Sequence, residues 1–290
     1  MQNGETKQIR LGLPKGRMEK GVLQVLAEAG IQVRTTSRAY RPVLSLPEFD
    51  TKVHKPQDIV EMLHHGSRDI GFSGADWVTE LEAEVVELID LKLDPVRLVA
   101  AAPEALLENG RLPKRQLVVA SEYERLSRRW ISESGIDATF VRSFGATEVF
   151  PPEDADCIID NTATGATLRA NGLSIVDDIM TSSTRLYANP RALENPSKRE
   201  HIERFVVLIR SVLDARERVM LEVNVSREDL ESLVEVLPCL RKPTIASLHG
   251  DDGYVVKAAV PRKELPLLIT EIKARGGTGI VVTLITQLVP

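Results

Sequence analysis

Short apolar runs alternate with segments of helical apolar spacing along most of this chain. The run IRLGLP predicts a first strand, and apolar residues from Met18 to Ala29 predict a helix that Gly30 ends. Further strands are predicted in IQVRTT, VRLVAAAP, QLVVAS and ATFVRS, and further helices in PQDIVEMLHHG and YERLSRRWISESG. DIGFSGADWV predicts a strand followed by a loop. This order indicates an α/β fold with a parallel or mixed sheet and helices on its faces.

The pattern changes after YANPRALENPSKRE, where Asn, Pro and charged residues cluster. A long helix is predicted from Glu200 to Arg218. Beyond it, VMLEVNVS, TIASLHG, GYVVKAAVP and GIVVTLITQLV predict four strands, and REDLESLVEVLP and RKELPLLITEIKARGG predict two helices. Two strand–helix–strand units in so short a stretch resemble the ferredoxin-like split βαβ motif, so the tail is predicted to be a separate domain.

Composition narrows the class of protein. The chain has 290 residues and a net charge of -5, with 4% aromatic residues, which argues against nucleic acid as the main partner. No apolar run is long enough to cross a membrane, and the first residues carry no secretion signal, so a cytoplasmic location is expected. The two cysteines and five histidines form no metal-ligand pattern.

The stretch CIIDNTATGATLRANGL joins an apolar run, an acidic residue, small hydroxyl residues and a helix-like segment that Leu168 opens. Backbone N–H groups at such a helix start attract an anion, and Gly165 permits close approach because it has no Cβ. Thr162, Thr164 and Thr167 add hydroxyl donors, and Asp160 would lie beside the ligand. The alternative is an Asp- and Thr-rich turn that only caps a helix.

The stretch resembles the phosphoribosyl pyrophosphate (PRPP) loop of phosphoribosyltransferases. In the orthodox class two adjacent acidic residues usually follow the strand, whereas Asn161 follows Asp160 here. The ATP phosphoribosyltransferase pattern D-x-x-x-[ST]-G-x-T-L-x-x-N-x-L is met by Asp160, Thr164, Gly165, Thr167, Leu168, Asn171 and Leu173. The segments GLPKGRM, PQDIVEMLHHGSRDIGFSGADWVTE and SFGATEVFPPEDADCIID are similar to that family in the family's order, and the tail resembles the regulatory domain of its long form.

The resemblance implies transfer of the 5-phosphoribosyl group of PRPP to N1 of ATP with release of pyrophosphate, the first step of histidine biosynthesis. It implies Mg²⁺ held mainly by substrate phosphates, with no metal cage in the protein. The implied catalytic residues are Asp160, Glu148, Lys15 and Arg17. The implied PRPP-binding residues are Asp160, Thr162, Thr164, Gly165, Ala166, Thr167 and Leu168. The implied ATP-binding residues are Lys15, Gly16, Arg17, Gly74, Asp76 and Arg97.

Several of these residues also have a plainer interpretation. Asp160 and Asp76 could cap helices, and Glu148 could be a solvated strand end. Lys15 and Arg17 could be a solvated face, although cations oppose the dipole at a helix start, which favours a role in binding pyrophosphate or triphosphate. No general base is evident, and neutral adenine N1 needs none to attack.

The sequence departs from the family pattern next to the loop. PPEDADC is more acidic and one residue shorter than the usual step before Asp160, and Phe150 stands where a small Ala is usual. Arg68 stands where an apolar residue normally precedes Asp69. These departures leave the PRPP loop intact but change its surroundings.

The resemblance also implies an architecture and an assembly. The catalytic part would be two α/β domains like the type II periplasmic binding proteins, domain I from residues 1–97 and 183–213 and domain II from 98–182, with the active site in the cleft. Residues 214–290 would be a ferredoxin-like (ACT-like) domain that binds histidine and inhibits the enzyme. The family pattern is a homo-oligomer, a dimer that closes into a hexamer.

Three other functions remain open at this point. A solute-binding protein would share the two-domain fold, but the missing secretion signal and the Asp-Thr-Gly-Thr loop argue against it. An orthodox phosphoribosyltransferase acting on another purine acceptor would not explain the tail. A catalytically silent amino-acid sensor would keep the tail, and the altered PPEDADC segment keeps it open.

Overall fold

The computed structural model describes residues 8–34, 40–250 and 252–290. Ten strands precede the tail in this part of the chain: β1 (Ile9–Pro14), β2 (Val33–Arg34), β3 (Val43–Leu44), β4 (Phe49–His54), β5 (Ile70–Gly74), β6 (Val86–Pro103), β7 (Leu117–Ser121), β8 (Ala138–Arg142), β9 (Cys157–Thr162) and β10 (Leu173–Ala188). The helices between and after them are α1 (Arg17–Glu28), α2 (Pro56–His64), α3 (Ala75–Glu80), α4 (Glu124–Ser134), α5 (Ala166–Ala170), α6 (Pro190–Glu194) and α7 (Pro196–Arg216).

The chain forms two compact units. The first comprises the residues up to Gln24 together with Gln32–Ile202, and the second comprises Val25–Ile31 and Glu203–Pro290. The predicted division of the catalytic part into domains I and II is finer than this and stays a prediction.

An eight-stranded mixed sheet forms the centre of the first unit, in the order β4-β1-β5-β10-β6-β9-β7-β8. Strand β1 is parallel to β4 and β5, and β7 is parallel to β8 and β9. Between these two groups lie β6 and β10, which pair antiparallel with each other. The sheet is therefore mixed, as the sequence indicated. Its parallel strands form two separate groups, each with its own set of carboxyl ends.

The two long central strands are the part of the fold that the apolar pattern described least well. Strand β6 has 18 residues, of which only the second half was predicted, and β10 has 16 residues and was not predicted. Their pairing contains several register irregularities, and Lys92 and Asp94 of β6 adopt positive φ angles of 55° and 47°. Such interruptions break the strict alternation by which a strand is recognised in sequence.

A second difference concerns the segment after β5. The residues ADWVTE form the helix α3 rather than the predicted loop. Residues 31–36 were predicted as one strand, and the described part of that segment contains only the two-residue β2, with residues 35 and 36 outside the described residues.

One part of the core of the first unit is built from β6, β7 and β9. Val119, Ile158 and Ile159 are fully buried, and so is Cys157, whose thiol pKa burial raises to about 12. Cys157 is therefore a small buried hydrophobe of this core.

The second unit contains a separate antiparallel sheet. Its strands are β11 (Arg218–Val225), β12 (Thr244–Ser247), β13 (Tyr254–Pro261) and β14 (Thr278–Leu284), in the order β12-β13-β11-β14. The helices α8 (Leu230–Glu235) and α9 (Leu265–Ala274) supply apolar residues to one core with β11 and β13. Among the described residues, no helix is long and apolar enough to cross a membrane.

Candidate active site

A polar pocket lies where β9 ends and α5 begins. Ten residues line it: Arg17, Glu148, Asp160, Asn161, Thr162, Ala163, Thr164, Ala166, Thr167 and Leu168. Residues far apart in the sequence are thus brought together around the stretch that the sequence singled out. Eight of these ten were predicted site residues, and Asn161 and Ala163 were not.

The loop between β9 and α5 is shaped by its own hydroxyl groups. The Thr162 side-chain oxygen accepts the N–H of Gly165 at 2.9 Å, and that of Thr164 accepts the N–H of Ala166 at 3.3 Å. Gly165 has φ +74°, a conformation that L side chains rarely adopt. The helix begins at Ala166 rather than at Leu168 and has only five residues. Its dipole is therefore small, and an anion here would be bound mainly by the N–H and hydroxyl groups of the loop.

Asp160 stands at the end of β9, beside this loop. Burial, together with the nearby charges of Glu148 and Glu122, raises the pKa of its carboxyl group to about 6. The N–H of Asn161, which donates to Asp160 Oδ1 at 2.7 Å, and the guanidinium of Arg17 act in the opposite direction. Asp160 is therefore a carboxylate whose charge is costly unless a cationic group comes close.

Glu148 reaches the same pocket from a single 3₁₀ turn, Thr147–Val149. The buried side chain of Thr147 is hydrogen-bonded to Ser143 at 2.7 Å, and Ala146, just before the turn, has a positive φ of 49°. A strained backbone held by a buried hydroxyl pair fixes where Glu148 points. Glu148 is therefore not a solvated strand end.

Arg17 is the first residue of α1, and its Nη1 donates to Asn161 Oδ1 at 3.3 Å. Lys15 and Gly16, predicted beside it, do not line this pocket. The Lys15 ammonium lies 5.9 Å from the centre of the Tyr40 ring, and the Lys15 N–H donates to the His54 carbonyl at 2.9 Å. Of the two predicted cations, the structure places Arg17 at the pocket.

The remaining predicted ATP contacts lie elsewhere. Asp76 is 2% exposed, and its carboxylate accepts hydrogen bonds from Ser182 and Tyr123. Gly74 gives that carboxylate room, because a Cβ there would lie 2.0 Å from Asp76 Oδ1. Arg97 donates from one nitrogen to both oxygens of Asp178, at 2.8 and 3.0 Å. Asp76 and Gly74 thus support the site from inside, and contacts of Gly74, Asp76 and Arg97 with ATP stay predictions.

The departures from the family pattern have structural counterparts. Arg68 is buried, and its guanidinium pairs with Asp50 at 3.2 Å, so the cation is compensated where an apolar residue is usual. Phe150 packs against the apolar cluster that contains Leu168, just behind the loop. The altered segment therefore supplies core behind the loop and leaves the pocket open.

Among the residues that the structure describes, no group of three or more His, Cys, Asp or Glu side chains could hold a metal ion. The two carboxylates of the pocket, Asp160 and Glu148, still form a donor set of the kind that Mg²⁺ takes together with phosphates and water. The residues present thus fit an ion held mainly by a substrate.

Comparison with known proteins decides the family. The family model described as ATP phosphoribosyltransferase matches residues 55–211, and the model for the C-terminal domain of the same family matches residues 215–287. The chain belongs to the ATP phosphoribosyltransferase family. It is 36% identical to the ATP phosphoribosyltransferase of Chlorobaculum parvum over 277 residues, 94% of each chain. It is 34% identical to that of Pelotomaculum thermopropionicum over 287 residues, 97% of this chain and 99% of the relative.

A solved structure supports the same conclusion. A chain of the ATP phosphoribosyl transferase (HisG:HisZ) complex from Thermotoga maritima superposes with a TM-score of 0.64 at 26% identity. The match covers 99% of that chain but only 71% of this one. The resemblance suggested by the motifs, the transferase class and the long form with a C-terminal domain are therefore confirmed.

Proposed function

We propose that this protein transfers the 5-phosphoribosyl group of PRPP to N1 of ATP and releases pyrophosphate, as the first step of histidine biosynthesis. The observation that carries the proposal is the convergence of Arg17, Glu148 and Asp160 on the hydroxyl-rich loop that follows β9. Each part of PRPP has a chemically suitable neighbour in this arrangement.

The 5-phosphate would bind in the loop from Thr162 to Leu168. Backbone N–H groups and threonine hydroxyls are suitable donors for phosphate oxygens, and Gly165 lets the backbone approach closely. Leu168 is buried and anchors the far end of the loop to the core. The hydrogen bonds within the loop and the burial of Leu168 support its use as a preformed cradle.

Asp160 would accept hydrogen bonds from the ribose hydroxyls and stabilise positive charge as it develops at C1. Its partly buried carboxylate gains most from a cationic partner, so its stabilising effect is larger for the oxocarbenium-like transition state than for the neutral sugar. Glu148, which lines the same pocket, would assist. Adenine N1 is nucleophilic in its neutral form, so this step needs positioning more than proton transfer.

The leaving pyrophosphate would be met by Arg17, with Lys15 and Gly16 completing a basic loop that grips pyrophosphate or the ATP triphosphate. Mg²⁺ would be held mainly by the substrate phosphates, with Glu148 available to complete its shell directly or through water. When bound, the ion would neutralise charge on the departing pyrophosphate.

The finer architecture belongs to the same proposal. Domain I (1–97 and 183–213) and domain II (98–182) would form a type II periplasmic-binding-like pair, since β10 and β6 lie between the two parallel groups of the sheet, β10 beside β5 and β6 beside β9. Residues 214–290 would be a ferredoxin-like domain, for which the strand order β12-β13-β11-β14 is suitable. This domain would bind histidine and inhibit a cytoplasmic dimer by closing it into a hexamer.

The proposal is tested by mixing the full chain with Mg²⁺, PRPP, ATP and a pyrophosphatase and following N1-phosphoribosyl-ATP by its ultraviolet absorbance, with and without histidine. Product that falls as histidine rises, together with a larger mass by light scattering, supports the enzyme and its regulation. Product only with another purine would make the chain a phosphoribosyltransferase of different acceptor. A folded protein that binds histidine but yields no product would be a silent sensor.

A further inference from the structure

A chain of hydrogen bonds runs inward from the pocket through buried side chains. Asn161 is its outermost amide: Oδ1 accepts from Arg17 at 3.3 Å, while Nδ2 donates to the Tyr123 hydroxyl at 3.0 Å. Asn161 follows Asp160 directly, so the amide is fixed to the same strand end as the carboxylate. Both ends of this side chain are therefore occupied.

Tyr123 is the middle of the chain and is 1% exposed. Its hydroxyl donates to Asp76 Oδ2 at 2.7 Å, and its ring stacks on Trp77 with centroids 4.5 Å apart. Burial, reinforced by the charge of Asp76, raises the pKa of Tyr123 well above its ordinary value. The phenol thus keeps its proton and can serve as donor to one neighbour and acceptor from the other.

Asp76 closes the chain at its inner end. Its other oxygen accepts from the Ser182 hydroxyl at 2.6 Å, and Ser182 also accepts the N–H of Asp76 at 3.1 Å. Ser182 is 4% exposed in the middle of β10. The inner end is therefore anchored in the central strands of the sheet.

The donor and the acceptor in each of these hydrogen bonds can be assigned in only one way. Asp76 accepts from Ser182 at Oδ1 and from the phenol at Oδ2, so the Tyr123 proton points to Asp76 and the phenol oxygen accepts from Asn161. The Asn161 Nδ2 then faces Tyr123, which leaves Oδ1 facing the guanidinium of Arg17. With the opposite amide orientation, an N–H donor would face a cation. The buried carboxylate thus sets the orientation of the amide at the pocket.

We propose that Tyr123 and Asn161 are positioning residues that hold Arg17 beside the PRPP loop, where it meets the pyrophosphate leaving group. The inference rests on the proposed binding of PRPP. It adds two residues that the family pattern did not mark, and it joins residues on either side of the proposed boundary between domains I and II. Tyr123 acts through Asn161, and Asn161 acts through Arg17.

A double-mutant cycle tests this inference. Tyr123→Phe removes one oxygen and keeps the ring, and Arg17→Ala removes the cation. We expect Tyr123→Phe to lower kcat about tenfold, with the KM for ATP changed by less than about twofold, because a misplaced group affects the transition state most. In the Arg17→Ala background, the same change should lower kcat by less than about twofold.

Asn161→Leu, which keeps the size of the side chain but neither polar end, should reproduce the loss seen with Tyr123→Phe. Tyr187→Phe is the matched control, since Tyr187 is also buried and lies outside the network. Unfolding midpoints and PRPP dissociation constants are measured for every variant. If Tyr123→Phe lowers kcat by the same factor with and without Arg17, the inference is overturned, whatever the unfolding midpoints of the variants.

The outcome is distinguishable from failure of the proposed function. A wild-type protein that forms product, combined with additive losses, would overturn the positioning role alone. If the wild type binds PRPP but uses another acceptor, the cycle is run on kcat with that acceptor, and additivity there again contradicts the inference. A wild type that does not bind PRPP would overturn both.

Discussion

The carboxylate of Glu80 accepts the backbone N–H of Leu126 at 3.0 Å. Its other oxygen accepts the N–H of Arg125 at the same distance, so one buried carboxylate satisfies two donors in the first turn of α4. The residue that directly precedes α4, Tyr123, makes no side-chain capping hydrogen bond, so Glu80 takes over this role from a distant segment. The negative charge also lies at the positive end of the helix dipole.

We expect Glu80→Gln to lower the free energy of unfolding by about 1–2 kcal/mol, since an amide nitrogen would then face a backbone N–H. Glu82→Gln is the control, because Glu82 is 62% exposed and its ion pairs with Arg125 and Arg129 are 3.7 Å long. Its effect should stay within about 0.5 kcal/mol. Urea unfolding measures both, and equal effects would contradict the capping role of Glu80.

Gly165→Ala tests the phosphate cradle. Both Gly165 and Gly172 have positive φ, +74° and +70°, so Ala costs about 1 kcal/mol of stability at either position. A Cβ at Gly165 would lie 2.9 Å from an Arg169 nitrogen, whereas one at Gly172 meets nothing within 4 Å. We expect only Gly165→Ala to weaken PRPP binding, by about tenfold. Calorimetric titration with PRPP and Mg²⁺ checks this, and equal weakening in the two variants would exclude a specific role for the loop.

The pH dependence of kcat/KM should report Asp160. If its carboxylate must be ionised, activity falls as the pH drops through about 6, the raised pKa of this group. Glu148→Gln removes a negative neighbour and should move this limb to lower pH, whereas Arg17→Gln removes a positive one and should move it to higher pH. The ionisation of the PRPP phosphates is common to all three proteins and cannot produce opposite shifts. Shifts in one direction only would exclude Asp160 as the titrating group.

Asp160 should also cost the protein stability at neutral pH. Its pKa is raised from 3.8 to about 6 on folding, so the folded state holds the proton more tightly. The contribution of Asp160 to the free energy of unfolding is most favourable below pH 3.8, the ordinary pKa, and is lost as the pH rises through about 6. We therefore expect Asp160→Asn to abolish activity yet raise the free energy of unfolding by about 1–3 kcal/mol at pH 8 and by much less at pH 4. Asp154→Asn, at an exposed position, is the control, and an equal gain there would contradict this account.

Local sequence was enough to predict a hydroxyl-rich loop between β9 and α5, because its shape depends on neighbouring residues in a fixed spacing. The strand before Asp160, the small residues after it and the positive φ of Gly165 are all local properties. The same holds for the four strands and two helices of the tail, whose apolar patterns each lie within one short segment. The family resemblance then supplied Glu148 and Arg17, which no local pattern connects to the loop.

What the sequence did not predict depends on contacts between distant residues. Strand β10 carries Asp177, Asp178 and a run of hydroxyl residues, so its apolar alternation is interrupted although it lies at the centre of the sheet. The network from Asn161 to Asp76 joins three separate segments, and only folding shows that Asp76 is turned inward. A polar residue next to a motif, such as Asn161, was the one signal available beforehand.

The most direct test of the central claim is a crystal structure of the protein with PRPP and Mg²⁺. We predict the 5-phosphate within hydrogen-bond distance of the N–H groups from Thr164 to Leu168, the ribose hydroxyls on Asp160, and the pyrophosphate on Arg17. A 5-phosphate bound elsewhere, for example at Arg97 with the loop after β9 left free, would contradict the account.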